Sequence, residues 1–110
     1  MDRLKKKHLQ SKGWKVGSPA EFLGLSEEEA GIVELRLELA NAVKQRRTRH
    51  RLSQQQLARL LGSSQSRVAK IEAGDSSVSI DLMVRSLLRM GASRRDLASY
   101  IARPTRRSAA

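Results

Sequence analysis

Residues 52–74, LSQQQLARLLGSSQSRVAKIEAG, read as two short helices joined by a tight turn. Ser53 is a strong N-cap, and Gln56 three residues later completes a Ser-x-x-Gln capping box. The helix that follows carries Leu57, Ala58, Leu60 and Leu61 and stops at Gly62, a residue that accepts the left-handed conformation closing a helix. Ser63 and Ser64 supply the turn and the second N-cap. The second helix buries Val68 and Ile71 at i, i+3 spacing and ends at Gly74. Its outward positions, Gln65, Ser66, Arg67 and Lys70, are polar donors able to point one way. Two capped helices across a glycine turn, the second with a donor-rich outer face, make the arrangement that seats a helix in the major groove of DNA.

The rest of the chain agrees with that reading. It has 110 residues and only three aromatic side chains, Trp14, Phe22 and Tyr100, so its core must be built from Leu, Val, Ile and Ala. Such a core suits an all-α bundle better than a sandwich. The formal charge is +11, an electrostatic prior for nucleic acid. Its distribution is more telling than its sum. Between Glu38 and Glu72 there is no carboxylate, while the same window holds Lys44, Arg46, Arg47, Arg49, Arg51, Arg59, Arg67 and Lys70. The absence of cysteine excludes disulfides and thiolate metal sites. No apolar run approaches membrane-spanning length, and the basic start lacks the apolar region of a secretory signal, so a cytoplasmic protein is expected.

Taken in order, residues 1–13 form an expected flexible basic arm with Lys5, Lys6, Lys7 and Lys12. A short leader helix follows, capped by Ser18, with Pro19 at its first position and Phe22 and Leu23 as its apolar side. Ser26 with Glu29 opens a long helix over 27–49, acidic at its start and basic at its end, as the helix dipole prefers. Ile32, Leu35, Leu39 and Val43 form its apolar stripe, and Val33, Leu37 and Ala40 widen it. Beyond Gly74, Ser79 caps a helix over 80–90 in which Leu82, Met83, Leu87 and Leu88 can face the core. Ser93 with Asp96 starts a last helix to about Ala102. The fold class predicted is therefore all-α: five principal helices and a short N-terminal leader. A DNA-binding domain spans 14–102 with the helix-turn-helix at 53–73, and a basic tail occupies 103–110.

The chemistry of these residue types sets their expected roles. A glutamine pairs with adenine N6 and N7, and a lysine or arginine with guanine O6 and N7. Gln65, Ser66, Arg67 and Lys70 are thus the candidates for base readout, with Arg67 open to phosphate as well. Ser64 can cap and face phosphate at once, and Arg46, Arg49, Arg51 and Arg59 are candidates for phosphate contacts. One such helix reads only a few base pairs, so a homodimer on a near-palindromic operator of double-stranded DNA is expected. Leu97, Tyr100 and Ile101, joined by Leu87, are expected to form its interface, with packing back on their own subunit the alternative for Leu97 and Ile101. His8 and His50 have no carboxylate partner in sequence, and there is no phosphate loop or metal-ligand spacing. Neither catalysis, cofactor nor metal is expected.

The spaced positions Leu52, Ser53, Gln54, Leu57, Ala58, Leu61, Gly62, Ser64, Val68 and the Ile71-Glu72-Ala73-Gly74 ending resemble the helix-turn-helix of the Xre family, the phage-repressor-like regulators. The resemblance implies a phage-repressor-like bundle. It also implies that Gln54 anchors a phosphate and braces the recognition helix, and that Arg47 and Glu72 form a partly buried ion pair. The leader WKVGSPAEFLGLSEEEA extends the likeness to HigA-type antitoxins. Those relatives neutralise a RelE/HigB-like ribonuclease toxin and repress their own operon. A stand-alone or prophage regulator without a toxin is the alternative, and a basic RNA- or protein-interaction module is the reading from another class.

Overall fold

The computed structural model describes Gly24 and residues 26–102. The expected basic arm (1–13), the leader helix with its cap Ser18, and the tail (103–110) lie outside the described residues. Within them the chain forms five helices and no strand: α1 (Glu27–Arg49), α2 (Gln54–Leu61), α3 (Gln65–Ala73), α4 (Ile80–Arg89) and α5 (Arg94–Ala102).

Local chemistry sets nearly every boundary. Ser26 and Glu29 cap α1 reciprocally, the serine hydroxyl accepting from Glu29 N at 3.1 Å and the glutamate from Ser26 N at 2.9 Å. Ser53 and Gln56 repeat the device at α2, and Ser93 and Asp96 at α5. Ser64 and Ser79 cap α3 and α4 through Arg67 N and Leu82 N. The end of α1 is less ordinary. Arg51 stands at φ 58, in the left-handed region usually left to glycine. Arg51 N then bonds Thr48 O and Leu52 N bonds Arg47 O, each at 3.0 Å, which folds the chain back and leads Leu52 to the edge of the core.

The chain divides within α1 into two units, one ending at Glu34 and one beginning at Leu35. In the first, Ala30 is buried, while Ile32 and Val33 are 50% and 42% exposed. In the second, a single core gathers Leu39, Ala40 and Val43 of α1, Leu57 and Ala58 of α2, Val68 and Ile71 of α3, Met83 and Leu87 of α4, and Tyr100 of α5. The inward face of α1 is two adjoining rows. Leu35, Leu39, Ala42 and Arg46 make one, and Arg36, Ala40, Val43 and Arg47 the other, each at i, i+4, i+7, i+11 spacing. Of the expected stripe and the residues widening it, Leu35, Leu39, Ala40 and Val43 meet this core, whereas Leu37, like Leu88 of α4, is exposed. Ser86, fully buried, donates to Leu82 O at 2.8 Å, so its hydroxyl is satisfied inside.

Gly74 ends α3 where two requirements meet. Its φ of +69 is left-handed, and a Cβ there would approach a Leu37 methyl to 3.2 Å. Glycine lets the end of α3 lie directly against α1.

Candidate nucleic-acid interface

The first residues of α2 and α3, Gln54 and Gln65, come side by side. Gln65 Nε2 donates to Gln54 Oε1 at 2.8 Å, and Gln54 Nε2 donates to Glu72 Oε1 at 3.1 Å. Glu72 is in turn held by the fork of Arg47. Nη2 reaches Oε1 at 3.0 Å and Nε reaches Oε2, while Nη1 donates to Leu52 O at 2.8 Å. The two side chains are 12% and 4% exposed, so this ion pair is nearly removed from water. A chain of four side chains therefore runs from inside the domain to the exposed start of α3.

Gln65, Ser66, Arg67 and Lys70 are all exposed. Ser66 and Lys70 lie one turn apart on α3, and Gln65 flanks them at its N-terminal end. Ser64 Oγ accepts from Arg67 N at 3.2 Å and lies 3.2 Å from Ser66 Oγ, so its capping role is filled within the protein. Arg49, Arg51 and Arg59 are exposed, as is Lys44. Gln54 is half-buried, with its amide bonded on both sides as described above.

Arg46 differs from the expectation that it meets phosphate. It ends an inward row of α1, its side chain is 14% exposed, and its guanidinium is engaged inside the fold. Nε donates to Met90 O at 3.1 Å and Nη1 to the Tyr100 hydroxyl at 3.0 Å, with Asp96 at 3.7 Å. The expected dimer face is redistributed for the same reason. Tyr100 and Leu87 belong to the core of their own subunit, Leu97 packs partly against it, and Ile101 is 53% exposed.

Two residues that bear on this face had no assigned role in the sequence. Arg36 donates through Nη1 to the carbonyls of Val78 and Asp75, fixing the loop that follows α3. Its place at the head of an inward row was the signal for it. Asp75 accepts from Ser77 N at 2.8 Å. Hydrogen bonds from Ser77, with Lys70 and Arg36 nearby, hold its carboxyl below the ordinary aspartate range.

Residues 43–86 match the helix-turn-helix family model. The match takes in the end of α1, all of α2 and α3, and α4 through Ser86, the segment whose geometry is given above. It marks this part of the chain as the DNA-binding domain of a transcription regulator. No curated protein and no solved structure matched the chain. No helix among the described residues is long and apolar enough to cross a membrane.

Proposed function

We propose that the protein is a sequence-specific repressor that binds double-stranded DNA as a homodimer, in the cytoplasm and without catalysis. The observation that carries the reading is the Gln54–Gln65 contact, which sets a polar, exposed α3 face at a fixed attitude beside the start of α2. Gln65, Ser66 and Lys70 read base edges, Arg67 reads a base or a phosphate, and Arg49, Arg51 and Arg59 with Gln54 and Ser64 meet the backbone. Two subunits joined through α5, with Ile101 at the contact and Leu97 beneath it, bring two α3 helices to major grooves about 10 bp apart. Selection from a random duplex library tests this. A near-palindromic site with half-sites at that spacing supports it, and equal recovery of all duplexes refutes it.

The regulator fits best as the antitoxin and autorepressor of a toxin–antitoxin pair. Support comes from the HigA-like leader and from Ile32 and Val33, exposed beside the carboxylates that open α1, which suit a basic protein partner such as a RelE/HigB-like ribonuclease. A toxin gene beside this one and toxin binding lost on deleting residues 1–25, with operator binding kept, are the expected results. Operator binding with no such neighbour or partner instead makes it a stand-alone or prophage regulator.

A further inference from the structure

We propose that Glu72, whose side chain is only 4% exposed, decides which base Gln65 reads. The inference rests on the DNA-binding reading above and adds a specificity-positioning residue to it.

Hydrogen-bond polarity runs along the chain in one direction. A guanidinium has only donors, so the Arg47 fork holds the Glu72 carboxylate as a pure acceptor. The Gln54 amide beside it has one admissible orientation. Its NH2 must face Glu72 Oε1, because the reverse would set oxygen against oxygen. That leaves Gln54 Oε1 pointing toward α3, where the NH2 of Gln65 donates to it at 2.8 Å. One N–H of Gln65 is thereby committed inward. Outward it shows Oε1 and its second N–H, an acceptor beside a donor.

That pair complements adenine, which offers the N6 donor and the N7 acceptor in the major groove. Guanine offers two acceptors, O6 and N7, and would meet Gln65 Oε1 with a repulsive contact. A glutamine free to rotate can instead turn its NH2 to the base and aim both N–H groups at guanine O6 and N7. The ion pair removes that freedom two side chains away from the DNA.

The experiment uses the full chain and the duplex it selects. The base pair read by Gln65 is found as the one whose preference disappears in Gln65→Ala. Affinities are then measured for that duplex with adenine or guanine at this position, for the wild type, Gln54→Met, and Arg47→Met with Glu72→Met. The last pair replaces the buried ions by apolar groups of similar size, an exchange folds often tolerate. Thermal melts establish which variants fold. The ratio of the two affinities is the readout, because removing a phosphate bond made by Gln54 weakens binding to both duplexes alike.

The wild type is expected to favour adenine by about 5- to 140-fold, the range of one bidentate base contact. Both Gln54→Met and the double variant are expected to lower this ratio severalfold, the latter with every DNA-facing residue intact. A folded variant of either kind that keeps the wild-type ratio overturns the proposal. Should the double variant fail to fold, Gln54→Met decides alone. A selected site with no adenine preference opposite Gln65 refutes the relay while leaving DNA reading in place, whereas a wild type that selects no site refutes both.

Discussion

Arg47 of α1 and Glu72 of α3 close a two-pronged ion pair that is almost wholly buried, and the oxygen receiving Arg47 Nη2 also receives Gln54 Nε2. One carboxylate thus joins three helices of the domain. Removing either partner strands the other charge inside, so Arg47→Ala or Glu72→Ala should lower stability by about 3–5 kcal/mol. Replacing both by methionine should be neutral or stabilising by about 1–4 kcal/mol. Urea unfolding of the three variants checks both, and a double variant weaker than either single one would contradict this account of the pair.

The glycines ending α2 and α3 separate two effects. Both are left-handed, but a Cβ at Gly62 meets open space while one at Gly74 meets Leu37 at 3.2 Å. Gly62→Ala should destabilise by about 1–2 kcal/mol from backbone conformation alone. Gly74→Ala should lose more, since Leu37 must also give way. Equal losses in denaturant melts would mean that α1 does not constrain the end of α3.

Arg46 should behave as a fold residue despite its place in the basic run. Arg46→Met removes hydrogen bonds to Met90 O and the Tyr100 hydroxyl and should lower stability by about 1.5–3 kcal/mol, the range for a charged hydrogen bond. It should leave the salt dependence of DNA binding unchanged. A true phosphate contact such as that proposed for Arg59 would, on truncation, reduce the slope of log K against log salt by about 0.9. A reduced slope for Arg46→Met would place its guanidinium on DNA after all.

Acid should loosen the start of α5. Bonds from Ser93 N and its hydroxyl, then the Arg46 and Arg49 charges, hold the Asp96 carboxyl below the ordinary aspartate value. Its folded pKa lies below the unfolded one, near 3.9. The stability it contributes is therefore present above that value and lost as pH falls through the folded pKa. Melts taken from about pH 6 down to about pH 2.5 should fall more steeply for the wild type than for Asp96→Asn, whose amide still accepts from the helix start. Parallel curves would deny Asp96 that role.

What was legible in the sequence was mostly local. Ser53 with Gln56, Ser26 with Glu29 and Ser93 with Asp96 act within four residues of chain, and each forms the reciprocal cap its spacing predicts. The outward set Gln65, Ser66, Arg67 and Lys70 followed from α3's buried pair Val68 and Ile71. Arg46 was not legible as a fold residue because a cation in a basic run reads as solvated. Only its place at the end of the row Leu35, Leu39, Ala42 marks it as inward. The apolar residues of α1's first half lie around much of its circumference, so periodicity alone did not separate Leu39 from Leu37. The direction of the Gln54 and Gln65 amides depends on tertiary approach, and no spacing rule encodes it.

The exposed face of α3 reads sequence: that is the claim on which the proposed function stands. The most direct measurement compares wild type and Gln65→Ala on the selected duplex and on a scrambled duplex of the same length, at about 50 and about 200 mM salt. The expected result is a wild-type preference for the selected duplex that persists at both salts and shrinks sharply in Gln65→Ala. Binding to the scrambled duplex should be alike for both proteins and fall steeply with salt. Equal binding of both duplexes by both proteins at each salt would contradict the claim.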